Sequence, residues 1–198
     1  MQHTPRRGVG WRGSDVAATT SFATARNGHS SVAYNGYLYV AGGCSNNCIA
    51  PDIYSDVQYA TVNENGTVGS WATTTSLPFV NAHFGMVTSN GFMYVVGGFG
   101  LAGSRSNTIQ YTAINANGTL GATWTTSTNL FTNARNEHIT MAYNGYIYIT
   151  GGSTGATVLN DVQYTLLNPA TGAPGPWATN STRFPTPRQA QDAIVNGG

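Results

Sequence analysis

Three groups of side chains in this 198-residue chain have types and spacing that could do chemistry. The first is an arginine followed three residues later by an imidazole or an amide: Arg26 with His29, Arg135 with His138, and Arg188 with Gln191, Glu137 standing beside Arg135. A guanidinium presents a planar fork of N–H donors that suits a carboxylate or sugar hydroxyls. The second group is Cys44 and Cys48, whose three intervening residues can close a small disulfide ring, whereas a zinc site needs more ligands than one cysteine pair supplies. Free thiols or redox chemistry are the alternatives to a disulfide, although the charge-poor surroundings offer nothing to depress a thiol pKa. The third group is a set of loop side chains, Tyr54, Phe99 and Arg105.

Catalytic constellations are harder to build. Of seven carboxylates, only Glu137 and Asp192 fall near the arginine segments. No Ser-His-Asp or Cys-His arrangement can be assembled by motif, and no histidine pair has metal-ligand spacing, so neither a metal nor a cofactor is expected.

The elements that must position these residues repeat. Trp71, Trp124 and Trp177 stand 53 residues apart, each within a near-copy of one segment. Asn35-Gly36, Asn90-Gly91 and Asn144-Gly145 each precede a Gly-Gly pair (Gly42-Gly43, Gly97-Gly98, Gly151-Gly152) at a constant distance. A Gln-Tyr follows each time, at Gln58, Gln110 and Gln163. Asn-Gly between β-branched and aromatic runs is a strong hairpin signal, which gives strand, turn, strand over 29–41, 84–96 and 138–150. A third strand carries the Gln-Tyr, an Asn- and Gly-rich turn follows, and a fourth strand holds the tryptophan. Four antiparallel strands per unit, in a repeat of this length, make propeller blades.

Arg and His opening a strand, a hydrophobic run ending the next strand at Gly-Gly, an aromatic and then a closing tryptophan resemble the kelch repeat, over roughly residues 11–198. The chain therefore reads as an all-β, incomplete kelch-type propeller of three four-stranded blades, with an orphan outer strand at its N-terminus and an orphan inner strand at its C-terminus. The repeats span approximately 21–75, 76–130 and 131–185 within a propeller segment 11–198, and 1–10 is expected to be poorly structured. Trp11 to Thr20 matches a closing strand, and the segment from Arg188 matches an opening strand with its turn. The expectation is a piece of a longer propeller, the remaining blades supplied by further sequence or by another chain. The second unit departs from the pattern, with Asn81 in place of arginine, Phe84 in place of histidine, and His83 one position early.

The resemblance implies that the Arg-x-x-His strand is innermost. Arg26, Asn81, Arg135 and Arg188 would then ring one mouth of the central channel, with His29, His138 and Gln191 further in, and Glu137 nearby. In kelch proteins that capture acidic peptides, arginines at this position make the contacts; the same residues can also tie the sheets together through backbone carbonyls. The loops after Gly-Gly form a second candidate surface, because the distance from Gly-Gly to Gln varies (15, 12 and 11 residues) while the hairpin never does. A kelch-type enzyme resembling sialic acid mutarotase would need Arg26, Arg135, Glu137 and Arg188 to converge on one pocket.

Composition sets the habitat. Only 8% of residues are charged, against roughly 25% in an average soluble domain, and lysine is absent. A net charge of +1 gives no electrostatic reason for nucleic-acid binding, and no apolar run is long enough to span a bilayer. With a disulfide, this points to an oxidising compartment, secreted or at the cell surface. Met1 to Gly8 lacks the apolar stretch of a signal peptide, so an export signal is expected outside this sequence. The functional reading is a non-catalytic propeller that binds a glycan or protein ligand, with the mutarotase-like enzyme and an architectural spacer in a surface protein as alternatives.

Overall fold

The computed structural model describes residues 19–46, 48 and 51–190. Three four-stranded antiparallel sheets follow one another, each in simple strand order. Blade one contains β1 (Ser30–Tyr34), β2 (Tyr37–Ala41), β3 (Val57–Thr61) and β4 (Ala72–Thr74). Blade two contains β5 (Gly85–Ser89), β6 (Phe92–Val96), β7 (Ile109–Ala113) and β8 (Thr125–Thr126). Blade three contains β9 (Ile139–Tyr143), β10 (Tyr146–Thr150), β11 (Val162–Leu167) and β12 (Pro174–Thr179). The Asn-Gly turns have positive φ at both residues, 48° and 79° at Asn35 and Gly36, which is the type I′ geometry that matches the twist of the flanking strands.

The first strands β1, β5 and β9 face one another, and side chains of the middle strands fill the space between blades. Tyr39, Val57, Met93 and Val95 are buried between blades one and two, and Tyr94, Ile109, Ile147 and Ile149 between two and three. Two tyrosines also reach across: the Tyr39 hydroxyl donates to Gly118 O at 2.8 Å, and Tyr94 to Gly172 O at 3.0 Å. Burial pushes the Tyr39 phenol up to about 12. The tryptophans fasten the connections. Trp71 Nε1 donates to Thr20 O at 3.0 Å and Trp124 Nε1 to Thr75 O at 3.4 Å. Among the described residues only Trp177 lies within a fourth strand, Trp71 and Trp124 standing just before theirs.

Thr19 and Thr20 bear on blade one as Thr74 and Thr75 bear on blade two. Val68 N donates to Thr19 Oγ1 at 2.7 Å, and Leu120 N to Thr74 Oγ1 at 2.8 Å. That is the place of the expected outer strand, of which Trp11 lies outside the described residues. At the other end Gly152 N donates to Arg188 O, as Gly43 N does to Asn81 O and Gly98 N to Arg135 O, so the chain from Arg188 docks where the next inner strand begins. Gln191 lies outside the described residues.

Each Gly-Gly pair is the point where two blades lock. A Cβ on Gly42 would come within 2.8 Å of the Phe84 ring of the next blade, and one on Gly97 within 2.7 Å of His138. Beneath the pair, Arg26 makes two bonds to the Asp56 carboxylate (2.7 and 2.9 Å) and a third to Gly42 O. Arg135 repeats this on Asp161 (2.6 and 2.9 Å) and Gly151 O. Gln58 and Gln163 donate to the same carboxylates. In blade two the Arg–Asp pair is replaced as a unit: Asn81 Nδ2 donates to Gly97 O at 2.9 Å, and Gln110 donates to Thr108, which stands where the other blades have aspartate. Arg135 is fully buried. Burial alone would raise the carboxyls of Asp56 and Asp161, but the bonds from arginine and glutamine outweigh it and hold both below the usual range.

Two stability predictions follow from this lock. Arg135→Ala leaves Asp161 buried and unpaired, and urea unfolding at neutral pH should show a loss of about 3–5 kcal/mol. Full retention of stability would show that the pair does not hold the blade. The second concerns pH. Burial, then the charge of Arg135, press the His138 imidazole down to about 3. A lowered histidine pKa means that the unfolded chain takes up the proton first, so stability falls as pH drops below about 6.5, by up to about 1.4 kcal/mol per pH unit per group. His138→Phe, the residue blade two uses, should flatten the decline between pH 6.5 and 4.5, leaving the contribution of His29, which is lowered in the same sense. Below about pH 4, protonation of Asp56 and Asp161 should weaken both proteins alike. An unchanged slope in the variant would remove His138 as its source.

Candidate functional site

The position two residues after each arginine site, counting Asn81 as one, has an unusual backbone conformation. Gly28, His83, Glu137 and Ala190 all have left-handed backbone, with φ of 59°, 53°, 56° and 53°. A run of backbone bonds explains why. His83 N donates to Gly28 O (2.7 Å), Glu137 N to His83 O (2.9 Å) and Ala190 N to Glu137 O (3.0 Å), so successive blades are stitched together around the channel mouth. Amide and carbonyl must both point along the ring, and the left-handed conformation meets that demand. It costs a residue with a side chain roughly 1–2 kcal/mol, and three of the four positions bear it. Non-glycine residues held this way by their surroundings concentrate at functional positions.

Two of these side chains can do chemistry. The His83 ring lies over Gly28, where an added Cβ would come within 2.8 Å of Nε2. Its Nδ1 is 4.0 Å from Glu137 Oε1, and the two side chains are 32% and 25% exposed. Both open into a cleft of about 460 Å³ between the first strands, whose wall includes His29, Ser31, His138 and Thr140. His83 and Glu137 also border a neighbouring cleft of about 250 Å³, with Cys48, Phe99, Arg105 and Asn136. There the Arg105 guanidinium sits 5.5 Å from the Phe99 ring and donates through Nε to Asn136 Oδ1 at 2.8 Å. Donors, an acid and an aromatic plane thus lie along one continuous surface.

The expected site residues divide sharply. Arg26, Asn81 and Arg135 do not reach the mouth as ligand donors; their side chains are turned into the blade, because Asp56, Asp161 and the Gly-Gly carbonyls satisfy them there. Arg188 is exposed, with its guanidinium 5.3 Å from the Phe184 ring and its Nε donating to Thr186 O at 3.3 Å. His29 and His138 line the cleft wall and pack on Phe22 and Phe131. Burial, then Arg26, lowers the His29 pKa. Tyr54 is no free loop residue, since its ring lies 4.8 Å from the Arg26 guanidinium. Phe99, Arg105 and Glu137 do come together. The convergence of Arg26, Arg135, Glu137 and Arg188 that a mutarotase-like site requires is not formed, because two of the guanidiniums are closed on aspartates. The residue missed in the sequence is His83. Its signal was the register of the repeat: it occupies the variable position of Gly28, Glu137 and Ala190.

The sulfurs of Cys44 and Cys48 lie at disulfide distance. The turn asparagines Asn65 and Asn117 accept bonds from Thr67 and Thr119 two residues on, as the turn chemistry requires. Among the described residues no helix is long and apolar enough to cross a membrane.

Of known families, the Kelch motif matches residues 25–55, from the residue before Arg26, through β1, β2 and Gly-Gly, to the residue after Tyr54. No curated protein matches the chain. The matched segment is built three times over, with its strands, turns and Gly-Gly pairs in register. The match supports a kelch-repeat relationship, and the three four-stranded antiparallel sheets are those of an incomplete kelch-type β-propeller.

Proposed function

We propose that this chain is a non-catalytic binding propeller that recognises a protein or glycan ligand at the channel mouth, through His83 and Glu137, with Phe99 and Arg105 as the adjoining contact surface. Kelch domains mediate protein interactions, which sets the general class. The observation that carries the finer reading is the left-handed ring: His83 and Glu137 hold conformations that glycine would adopt at lower cost, as it does at Gly28. A sequence that keeps functional side chains at such places gives up stability for something those side chains do. The mixture of imidazole, carboxylate, guanidinium and aromatic ring suits amides and hydroxyls of a ligand, each polar group having a complementary partner. A secreted or cell-surface setting is the proposed location, supported by the charge-poor composition and the close cysteine pair.

Glycan and synthetic peptide arrays, probed with the intact chain, should yield a best ligand, and its affinity should then be measured for His83→Gly and Glu137→Gly. Each variant should lose at least about tenfold in affinity, which is about 1.4 kcal/mol. Thermal unfolding should be unchanged or raised, because the backbone strain is relieved. Binding that survives both substitutions would exclude the mouth as the recognition site.

A further inference from the structure

A cluster that shares His83 with the proposed ligand site brings together residues that the sequence keeps far apart. Cys44 Sγ, Cys48 Sγ and His83 Nε2 lie within 4.8 Å of one another, two from blade one and the third from the first residues of blade two. We propose that, when the cysteines are reduced, these three atoms bind one zinc ion, so that the pair is a redox-gated metal site at the edge of the channel mouth.

The geometry argues for it. With Zn–S of about 2.3 Å and Zn–N of about 2.0–2.1 Å, tetrahedral angles place sulfur and nitrogen about 3.6 Å apart and the two sulfurs about 3.8 Å apart. Cys48 Sγ and His83 Nε2 are 3.6 Å apart. The sulfurs, once reduced, need only separate by that modest distance. Two cysteines with three residues between them fall within the usual spacing of zinc ligand pairs. The imidazole is placed as a ligand should be: it rests on Gly28, where any side chain would displace it, and turns Nε2 to the sulfurs while Nδ1 faces Glu137. A carboxylate at the second ring nitrogen fixes tautomer and orientation in zinc sites. Asn27 Oδ1, 3.1 Å from Cys44 Sγ and 3.6 Å from Cys48 Sγ, stands ready to complete the shell. The 250 Å³ cleft that borders Cys48 and His83 supplies the entry path.

The chemistry balances with a dithiol as reductant. Thiol–disulfide exchange breaks the Cys44–Cys48 bond, two electrons and two protons pass to the cysteines, and the dithiol leaves as its own disulfide. Zinc then binds both thiolates and neutral His83, and the two thiol protons go to solvent. In the reverse exchange a disulfide takes the two electrons, with two protons from solvent, and leaves as its dithiol, the Cys44–Cys48 bond re-forms and the ion is released.

The inference is independent of any ligand at the mouth and is tested without one. The chain is reduced with dithiothreitol, desalted without oxygen, incubated with zinc, desalted again, and assayed for metal and by competition with a chromophoric chelator. One zinc per chain is expected for the reduced protein and none for the oxidised. Cobalt in place of zinc should give thiolate-to-metal charge-transfer absorption. His83→Ala, which has the side chain that Ala190 carries at the equivalent position, should fold normally by far-ultraviolet circular dichroism and lose the ion. Glu137→Gln, altering a positioning residue, should weaken zinc about ten- to a hundredfold while keeping the cobalt spectrum. No zinc on the reduced protein would overturn the proposal, as would retention undiminished in His83→Ala.

Discussion

The structure depends on how an arginine is shared between one blade's interior and the next blade's edge. In blades one and three the guanidinium closes on an aspartate and on the carbonyl of the first glycine of the pair. In blade three, where Arg135 is fully buried, an ion pair is maintained by full satisfaction of its donors and acceptors, the condition under which burying charge is tolerable. The carbonyl of the same residue position accepts from the second glycine of the preceding blade, as Asn81 O and Arg135 O do. One residue therefore holds its own sheet with its side chain and the neighbouring sheet with its backbone. Blade two shows that the carbonyl half of this arrangement is the part that cannot be exchanged. Asn81 and Thr108 substitute together for the charged pair, removing both charges at once and leaving none unpaired.

Much of the fold was legible because its determinants are local. Asn-Gly turns, alternating β-branched and aromatic strands and a constant interval between them depend on backbone chemistry within a dozen residues, and all three hairpins form in the expected register. The tryptophans were legible as markers, yet two lie just outside the strands they mark, because the indole N–H is turned to the connecting segment at Thr20 and Thr75.

The site was less legible, for a reason of charge and distance. Arginine in a charge-poor chain reads as a free cation aimed at a ligand, but Asp56 and Asp161 lie 30 and 26 residues on, and only the closure of the sheet brings them together. The pairing had a sequence signal, since aspartate precedes the Gln-Tyr in the two units that have arginine and threonine precedes it where asparagine stands. His83 was obscured by the opposite error. Viewed as a displaced copy of the wall histidines it looks like a lapse in the repeat, whereas its φ of 53° identifies it with Gly28 and Glu137. Backbone handedness is invisible in a residue name unless the name is glycine or asparagine.

The ring also explains why change is tolerated at one position of an otherwise strict unit. Its hydrogen bonds use backbone atoms alone, so glycine, histidine, glutamate and alanine can each occupy the site while the amide and carbonyl stay in place. Side-chain identity there alters the channel mouth without disturbing the Arg–Asp pair or the Gly-Gly contact two residues away. The residues flanking it, Arg135 and His138, are buried and committed to packing. Within four consecutive residues the chain thus separates what must be constant for blades to join from what is free to vary, and the free position points its side chain into the cleft. A propeller built this way can acquire a new surface blade by blade, each change costing about the strain of one left-handed residue and, at Gly28, the displacement of the His83 ring as well.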